Sequence, residues 1–211
     1  MEEVKDLVKV LTTSHESTEL ETAAKTVLEL GKLGVSNGYV PKLNLVEVKG
    51  LIGGLVRVMR KDGERFRVAR EDAVGAIYWI SYLGGVEVKK GLFKHKGGSS
   101  GGLIAGLVEI LGQTRSEYKL ARENAVVAIN GIAFGADTEV LKGLFEHKGL
   151  IAGLVEILGL KGSEYKWVRE NAVAAINRIA NDADDEVKAS LFLFPQLMSR
   201  IEVIIVMKTP I

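Results

Sequence analysis

The stretch "GLIAGLVEILG" occurs twice in this chain, at 102–112 and again at 149–159. The likeness continues to "AVVAIN" (125–130) and "AVAAIN" (172–177), and "GLIGGLVRVMRKDGERFRVAREDAVGAI" (50–77) is a looser third copy. Equivalent alanines mark the period with spacings of 50, 52 and 47 residues: Ala23, Ala73, Ala125 and Ala172. The spacing of 52 exceeds 47 by five because "HKGGSSGGLIAG" (95–106) is five residues longer than "HKGLIAG" (147–153). The chain therefore repeats a supersecondary unit of about 47 residues.

Each unit divides into three predicted helices. "DTEVLKGLFEHKG" (137–149) begins with Asp137, which is suited to an N-cap, and ends with a Gly suited to a C-cap. "LIAGLVEILG" (150–159) is apolar around most of its surface, so we expect it to be buried between neighbouring units. The third segment, 163–180, begins at Ser163 in an N-cap setting, and its apolar residues recur at helical spacing: Val168, Ala172, Ala175, Ile176 and Ile179.

Glycines interrupt the predicted second helices, where each costs about 1 kcal/mol of helix propensity relative to alanine. We expect close approach of adjacent helices to offset that cost at these positions: Gly53, Gly54, Gly106 and Gly153.

The order of a short helix, a Gly, an apolar "LVxIL" helix and "v(R/K)ENAxxAIxxIA" is similar to the armadillo repeat, a relative of the HEAT repeat. The resemblance covers about residues 1–205 and is most specific in 86–192. It implies a single all-α domain over 1–211, a right-handed α-solenoid of about four three-helix units whose third helices line a concave groove. The chain then begins and ends mid-repeat, with 97–102 as a flexible Gly/Ser loop and these predicted units: 1–34 (partial), 39–83, 86–134, 137–182 and 184–211 (partial).

Armadillo proteins that carry nuclear cargo use a Trp and, four residues later, an Asn on each third helix. The equivalent pairs here are Lys25 with Glu29, Gly75 with Trp79, Val127 with Gly131, and Ala174 with Arg178. None of these pairs has both residues, so the resemblance does not imply this mode of peptide binding.

The same alignment predicts the side chains that line the groove: Asp72, Trp79, Asn124, Val127, Asn171, Ala174 and Arg178. Trp79 is either an anchor for a partner, since aromatic residues dominate interface energetics, or a side chain packed against a neighbouring helix. In the recurring "RE(N/D)A" element (70–73, 122–125, 169–172), Asn offers a donor and an acceptor to a peptide backbone. The Arg and Glu of that element are interpreted as bridges between adjacent repeats.

Composition excludes several classes of function. Lys plus Arg number 28 against 27 Asp plus Glu, which gives no electrostatic case for nucleic acid or an anionic membrane. The absence of Cys removes disulfides, thiolate metal sites and cysteine nucleophiles. No apolar run of about 18 residues is present, and the acidic start at 1–11 is unlike a signal peptide. We therefore expect a soluble protein of the cytoplasm or nucleus.

Catalytic and metal sites are not indicated. The serines have no nucleophile-elbow context, and the carboxylates form no convergent pair. His95 and His147 are one repeat apart, or about 10 Å for packed helices, which is too far to share a metal ion with bonds near about 2 Å. We expect packed histidines near helix C-termini, no metal, no cofactor and no enzyme activity.

The C-terminal stretch 191–211 is strongly apolar, yet no third helix follows it. An uncovered apolar end marks an interaction site or a truncated chain. We expect this end to pair with a second copy of itself, or with sequence outside this chain, through these residues: Phe192, Phe194, Ile201, Ile204 and Ile205. Three functions remain open. The first is a scaffold that binds a protein or peptide segment along the concave face; the second is a self-associating connector; the third is a HEAT-like enzyme acting on DNA bases, which the near-zero net charge disfavours.

Overall fold

The computed structural model describes residues 2–36, 48–95 and 102–181, and within these ranges all regular structure is helical. Short 3₁₀ turns precede three of the helices, at Glu64–Phe66, Ser116–Tyr118 and Ser163–Tyr165. The α-helices are α1 (Glu2–Thr13), α2 (Ser17–Ser36), α3 (Leu51–Met59), α4 (Arg67–Leu83), α5 (Val86–Lys94), α6 (Leu103–Leu111), α7 (Lys119–Ala133), α8 (Thr138–Glu146), α9 (Leu150–Leu158) and α10 (Lys166–Asn181).

The helices stack in three layers, one for each helix of the repeat. The third helices α2, α4, α7 and α10 pack in that order, each against the next. The second helices α1, α3, α6 and α9 do the same, and α5 contacts α8 in the layer of first helices. We call α1–α2 unit 1, α3–α4 unit 2, α5–α7 unit 3 and α8–α10 unit 4. One continuous apolar core runs through the stack, as expected when each unit is covered only by its neighbours.

Helix faces follow the apolar periodicity of the sequence. In α9 the side chains of Leu150, Ile151, Leu154, Val155 and Ile157 are all buried, which confirms that the second helix lies between neighbours. The apolar residues predicted on the third helix are also all buried: Val168, Ala172, Ala175, Ile176 and Ile179. Because small residues recur at 172 and 175, adjacent third helices can pack closely.

Glycines at equivalent positions in the second helices allow these helices to approach one another. A Cβ on Gly54 would lie 2.7 Å from Leu11 Cβ of the preceding unit, and a Cβ on Gly153 would lie 3.2 Å from Leu111 Cβ. Gly106 occupies the same position in α6 and is equally crowded, by Met59. The expectation of close approach is confirmed there. It is wrong for Gly53, where a Cβ would make only ordinary contact, at 3.7 Å, with His95.

The three predicted caps have different outcomes. The prediction that Gly149 caps the C-terminus of the first helix is wrong, because α8 has its C-cap at His147 and Gly149, with a φ of 86°, is the N-cap of α9. Asp137 caps α8, since its carboxylate accepts a hydrogen bond from the backbone N–H of Val140 at 3.0 Å. The prediction that Ser163 starts the third helix is wrong. Ser163 opens a 3₁₀ turn that leads into α10 at Lys166, because Gly162 enters this turn with a φ of 108° and the Tyr165 N–H bonds back to its carbonyl.

Several predictions concern residues outside the described ranges. They are the Gly/Ser loop, of which only residue 102 is described, the residues predicted for the first helix of the 39–83 unit before residue 48, and everything after residue 181. The predicted C-terminal interface is therefore not described either: Phe192, Phe194, Ile201, Ile204 and Ile205. No helix in the described part of the chain is long and apolar enough to cross a lipid bilayer.

Candidate interaction face on the third helices

The predicted groove residues lie on one face of the third helices. Positions 72, 75 and 79 of α4 share a face because residues three and four apart are neighbours on a helix. Extending this spacing by one turn in each direction adds positions 68 and 82. We call this surface the third-helix face, with these positions: 68, 72, 75, 79 and 82; 120, 124, 127, 131 and 134; 167, 171, 174 and 178.

Exposed apolar side chains concentrate on this face. Of the seven large apolar side chains that are exposed in the described residues, five lie on it: Val68 (36% exposed), Tyr82 (53%), Leu120 (47%), Phe134 (53%) and Trp167 (51%). They form two rows. Val68, Leu120 and Trp167 lie at the N-terminal end of α4, α7 and α10, and Tyr82 and Phe134 lie at the C-terminal end of α4 and α7. Such a concentration is typical of an interaction surface rather than of scattered exposure.

A polar strip runs between the two rows. Asp72 is half-buried, and burial raises the pKa of its carboxyl group; Glu21 on α2 also raises it, while Lys25 lowers it. The Asn124 amide lies across the α4–α7 contact and donates a hydrogen bond to the carbonyl of Glu71 at 3.2 Å. The strip is thus partly engaged in holding adjacent third helices together.

Trp79 packs against a neighbouring helix and is still partly exposed. Its Cβ packs against α2, where a Cβ on Gly31 would come within 2.8 Å of it. Its indole remains partly exposed and lies beside two tyrosines, with ring centroids 4.7 Å from Tyr78 and 6.0 Å from Tyr82 in an edge-on arrangement. Three aromatic rings therefore cover the end of α4, and Tyr82 is the most exposed of them.

The small residues of the face differ in what they present. Val127 is only 4% exposed, so it is packed between helices and offers almost no surface to a partner. Ala174, its equivalent on α10, is half-buried. The middle of the face is therefore lined mainly by polar side chains and small aliphatic groups.

Arg178 is held in place by a network between α7 and α10. It donates to the Asn130 side-chain oxygen, and its guanidinium lies over the Phe134 ring, 4.8 Å from the centroid. The Asn130 amide donates in turn to Asn171 at 2.9 Å, and the Asn171 amide donates to the Trp167 carbonyl at 2.9 Å. These bonds connect the polar strip to the C-terminal row.

A second cation lies beside Phe134. Lys89 of α5 is buried and donates to the Phe134 carbonyl, where it complements the C-terminal end of α7. Burial lowers the pKa of the Lys89 ammonium, and the neighbouring Arg178 lowers it further. Two basic side chains, Arg178 and Lys89, therefore lie against the Phe134 ring of the C-terminal row.

Of the three arginines of the "RE(N/D)A" element, only Arg70 bridges to an adjacent repeat among the described residues, and it does so through the backbone carbonyl of Glu117 at 3.1 Å rather than through a Glu side chain. Arg70 donates to the Lys61 carbonyl at 2.7 Å, Arg122 to the Leu111 carbonyl at 3.1 Å, and Arg169 to the Leu160 carbonyl at 2.7 Å. The carbonyls that end a second helix lack intrahelical partners, so the guanidinium satisfies them within its own unit.

His95 and His147 follow α5 and α8 directly. The Nδ1 atom of each is buried with no hydrogen-bond partner among the described residues, and burial lowers the pKa of the His95 imidazole. Among the residues that the structure describes, no three His, Asp or Glu side chains converge as metal ligands would.

Several residues of this face were not predicted from the sequence. They are Val68, Leu120, Trp167, Tyr82 and Phe134, together with Asn130 and Lys89, which hold the network around Arg178. The signal for the first five was present, because four of them lie one turn from a predicted position and Phe134 lies two turns from Val127, at the same helical spacing. No sequence signal indicated Asn130 or Lys89, since their partners are on other helices.

The similarity of this chain to known proteins is to solved structures. No protein-family model and no curated protein matches the chain. Among solved structures, the chain is similar to a designed armadillo repeat protein, with 27% identity over 92% of this chain and 69% of that one, and a TM-score of 0.67. It is also similar to an engineered protein with 24% identity over 95% of this chain and 70% of that one, at a TM-score of 0.70. A second engineered protein has 22% identity over 100% of this chain and 44% of that one, at a TM-score of 0.72. The chain therefore has the armadillo-like repeat fold.

Proposed function

We propose that this protein is a non-catalytic scaffold that binds a peptide or protein segment along the third-helix face, which is the concave face of an armadillo-like solenoid. The observation that carries the proposal is the location of the exposed apolar side chains. Five large ones lie on this one face, in two rows separated by a polar strip.

The chemistry of the face suits an extended segment. Apolar side chains of the partner would lie on Leu120 and Trp167 in one row and on Tyr82 and Phe134 in the other. The partner's backbone would cross the polar strip, where Asn amides provide both donors and acceptors. Arg178 adds a fixed positive charge for a carboxylate on the partner.

The experiment is peptide selection followed by substitution at exposed sites. Peptides selected from a random library on the wild-type protein are measured by fluorescence polarisation against Leu120→Glu and Phe134→Glu. Because both side chains are about half exposed, these changes leave the core intact. We expect each to weaken binding by about tenfold or more, as for central interface residues.

Val86→Glu is the matched control, since Val86 is an exposed apolar residue at the start of α5, off the third-helix face. It should bind the selected peptides as the wild type does. Peptides that bind all four proteins equally, or a selection that yields no binder, would contradict the proposal.

A further inference from the structure

A cavity of about 270 Å³ lies between units 3 and 4. Its walls come from the turn that joins α6 to α7, from the first turn of α7, and from α9 and the turn that follows it. Lys119, Arg122 and Glu123 line it from α7, on a face about 100° away from the one that carries Leu120 and Asn124. The cavity is therefore separate from the third-helix face.

At the equivalent place between units 2 and 3, a partly exposed carboxylate is bound by side chains of the next unit. Positions 62 and 114 are equivalent, as are 118 and 165. At the earlier junction, Asp62 Oδ1 accepts a hydrogen bond from the Tyr118 hydroxyl at 2.9 Å and from the Arg115 guanidinium at 2.6 Å. The molecule itself thus shows that an oxyanion fits between the loop of one unit and the Tyr of the next.

At the later junction this carboxylate is replaced. Thr114 stands where unit 2 has Asp62, and Gly162 stands where unit 3 has Arg115. Thr114 is neutral and shorter than Asp. The hydroxyl of Tyr165 consequently makes no hydrogen bond within the described ranges, and an open volume remains beside it.

The cations around this volume are less engaged than their counterparts in unit 2. Arg70 binds the Lys61 and Glu117 carbonyls through its two terminal nitrogens, whereas its equivalent Arg122 bonds only through Nε, to the Leu111 carbonyl. The terminal nitrogens of Arg122 therefore have no partner among the residues described.

Lys119 and Glu123 complete the charge balance of the cavity. The Lys119 ammonium lies 4.9 Å from the centroid of the Tyr165 ring and forms no ion pair in the part of the chain that is described. Glu123 is the carboxylate in the lining; burial raises its pKa, and Lys119 and Arg122 lower it. Arg115 also lines the cavity but is already paired with Asp62.

We propose that this cavity binds a small oxyanion, the carboxylate or phosphate group of a ligand. Arg122 grips two of its oxygens through the terminal nitrogens, as guanidinium groups do with planar and tetrahedral oxyanions. Tyr165 donates its hydroxyl proton to the same anion, in the way that Tyr118 donates to Asp62. Lys119 supplies further positive charge from the start of α7.

Thermal unfolding of the full chain in sodium acetate and in sodium phosphate, each against sodium chloride at equal ionic strength, tests the site. A ligand that binds only the folded state raises the unfolding temperature, by about 3 to 5 °C at about tenfold excess over its Kd for a chain of this size. We expect acetate, phosphate or both to raise it relative to chloride. The anion with the larger effect identifies whether a carboxylate or a phosphate group is preferred.

Three variants separate this site from a general salt effect. Thr114→Asp supplies the carboxylate covalently, so it should unfold at a higher temperature without added anion and lose the anion response. Arg122→Gln should also lose the response. Arg169→Gln, the equivalent Arg of unit 4, which does not line the cavity, should keep it.

Two results would overturn the proposal. One is an equal anion response in the wild type and in Thr114→Asp, which would show that the anion acts elsewhere. The other is no response of the wild type to either anion beyond that to chloride. Thr114→Asp tests anion binding at this cavity without removing a structural contact. It therefore still tests the proposal if Arg122→Gln proves to be defective in folding.

Discussion

Replacing Arg70 by Met should destabilise the protein far more than the same change at Arg122, although the two arginines occupy equivalent positions. Arg70 is fully buried and its guanidinium lies over the Tyr118 ring, 3.7 Å from the centroid. It donates to the Lys61 carbonyl at 2.7 Å and across the unit 2–unit 3 junction to the Glu117 carbonyl at 3.1 Å. Met keeps part of the packing but donates no hydrogen bond.

The magnitude follows from these contacts. Two charge-assisted hydrogen bonds are worth about 1.5–3 kcal/mol each, and a desolvated cation–π contact about 2 kcal/mol. Part of this loss is offset, because the guanidinium of Arg70 is costly to desolvate and its Nε has no partner among the described residues. We expect Arg70→Met to lower the free energy of unfolding by about 3 kcal/mol, or the unfolding temperature by about 6–12 °C.

Arg122 and Arg169, which occupy the positions equivalent to Arg70 in units 3 and 4, serve as internal controls. Arg122→Met loses one bond from a half-exposed side chain, about 1 kcal/mol, and Arg169→Met loses two such bonds, about 2 kcal/mol. Urea unfolding followed by circular dichroism measures all three, with unchanged m-values as the check that the transition is comparable. Equal losses at the three positions, or a loss below about 1 kcal/mol at Arg70, would refute the assignment of the large effect to burial and to the bond across the junction.

Further predictions concern packing, pH and association. Gly54→Ala should cost about 1–2 kcal/mol in urea unfolding, because its Cβ would lie 2.7 Å from Leu11 Cβ, whereas Gly85→Ala, with no atom within 4 Å, should be neutral. Hydrogen bonds from Arg115, the Gly63 N–H and Tyr118 lower the pKa of Asp62 to about 2. Because this pKa lies below the unfolded value of about 3.9, the ionised Asp62 carboxylate stabilises the folded state above about pH 4. This stabilisation is lost as the pH falls towards 2. The stability difference between wild type and Asp62→Asn should narrow over that range, and a constant difference would contradict the shift. Self-association through the C-terminal residues predicts a mass by light scattering that doubles over a hundredfold rise in concentration, and a constant mass near 22.9 kDa would exclude it.

Repetition and helical periodicity determined most of the fold. The spacing of the copies predicted the units, and apolar spacing within one copy predicted the buried residues of α9 and α10, such as Leu154, Ala172 and Ile176. These features are predictable because each depends on neighbours along the same helix and on a copy that repeats its chemistry. The face that carries Asp72 and Trp79 was predictable for the same reason.

Only the tertiary structure decided how equivalent residues differ. The three arginines at 70, 122 and 169 stand in nearly the same local sequence, yet one is fully buried across a junction and another lines a cavity. The later junction has Thr114 and Gly162 at the positions where the earlier junction has Asp62 and Arg115, and those two residues pair only because one unit stacks on the next. A repeat encodes its own helices locally, but the contacts at each junction depend on two units at once, so their chemistry becomes visible only in the assembled stack.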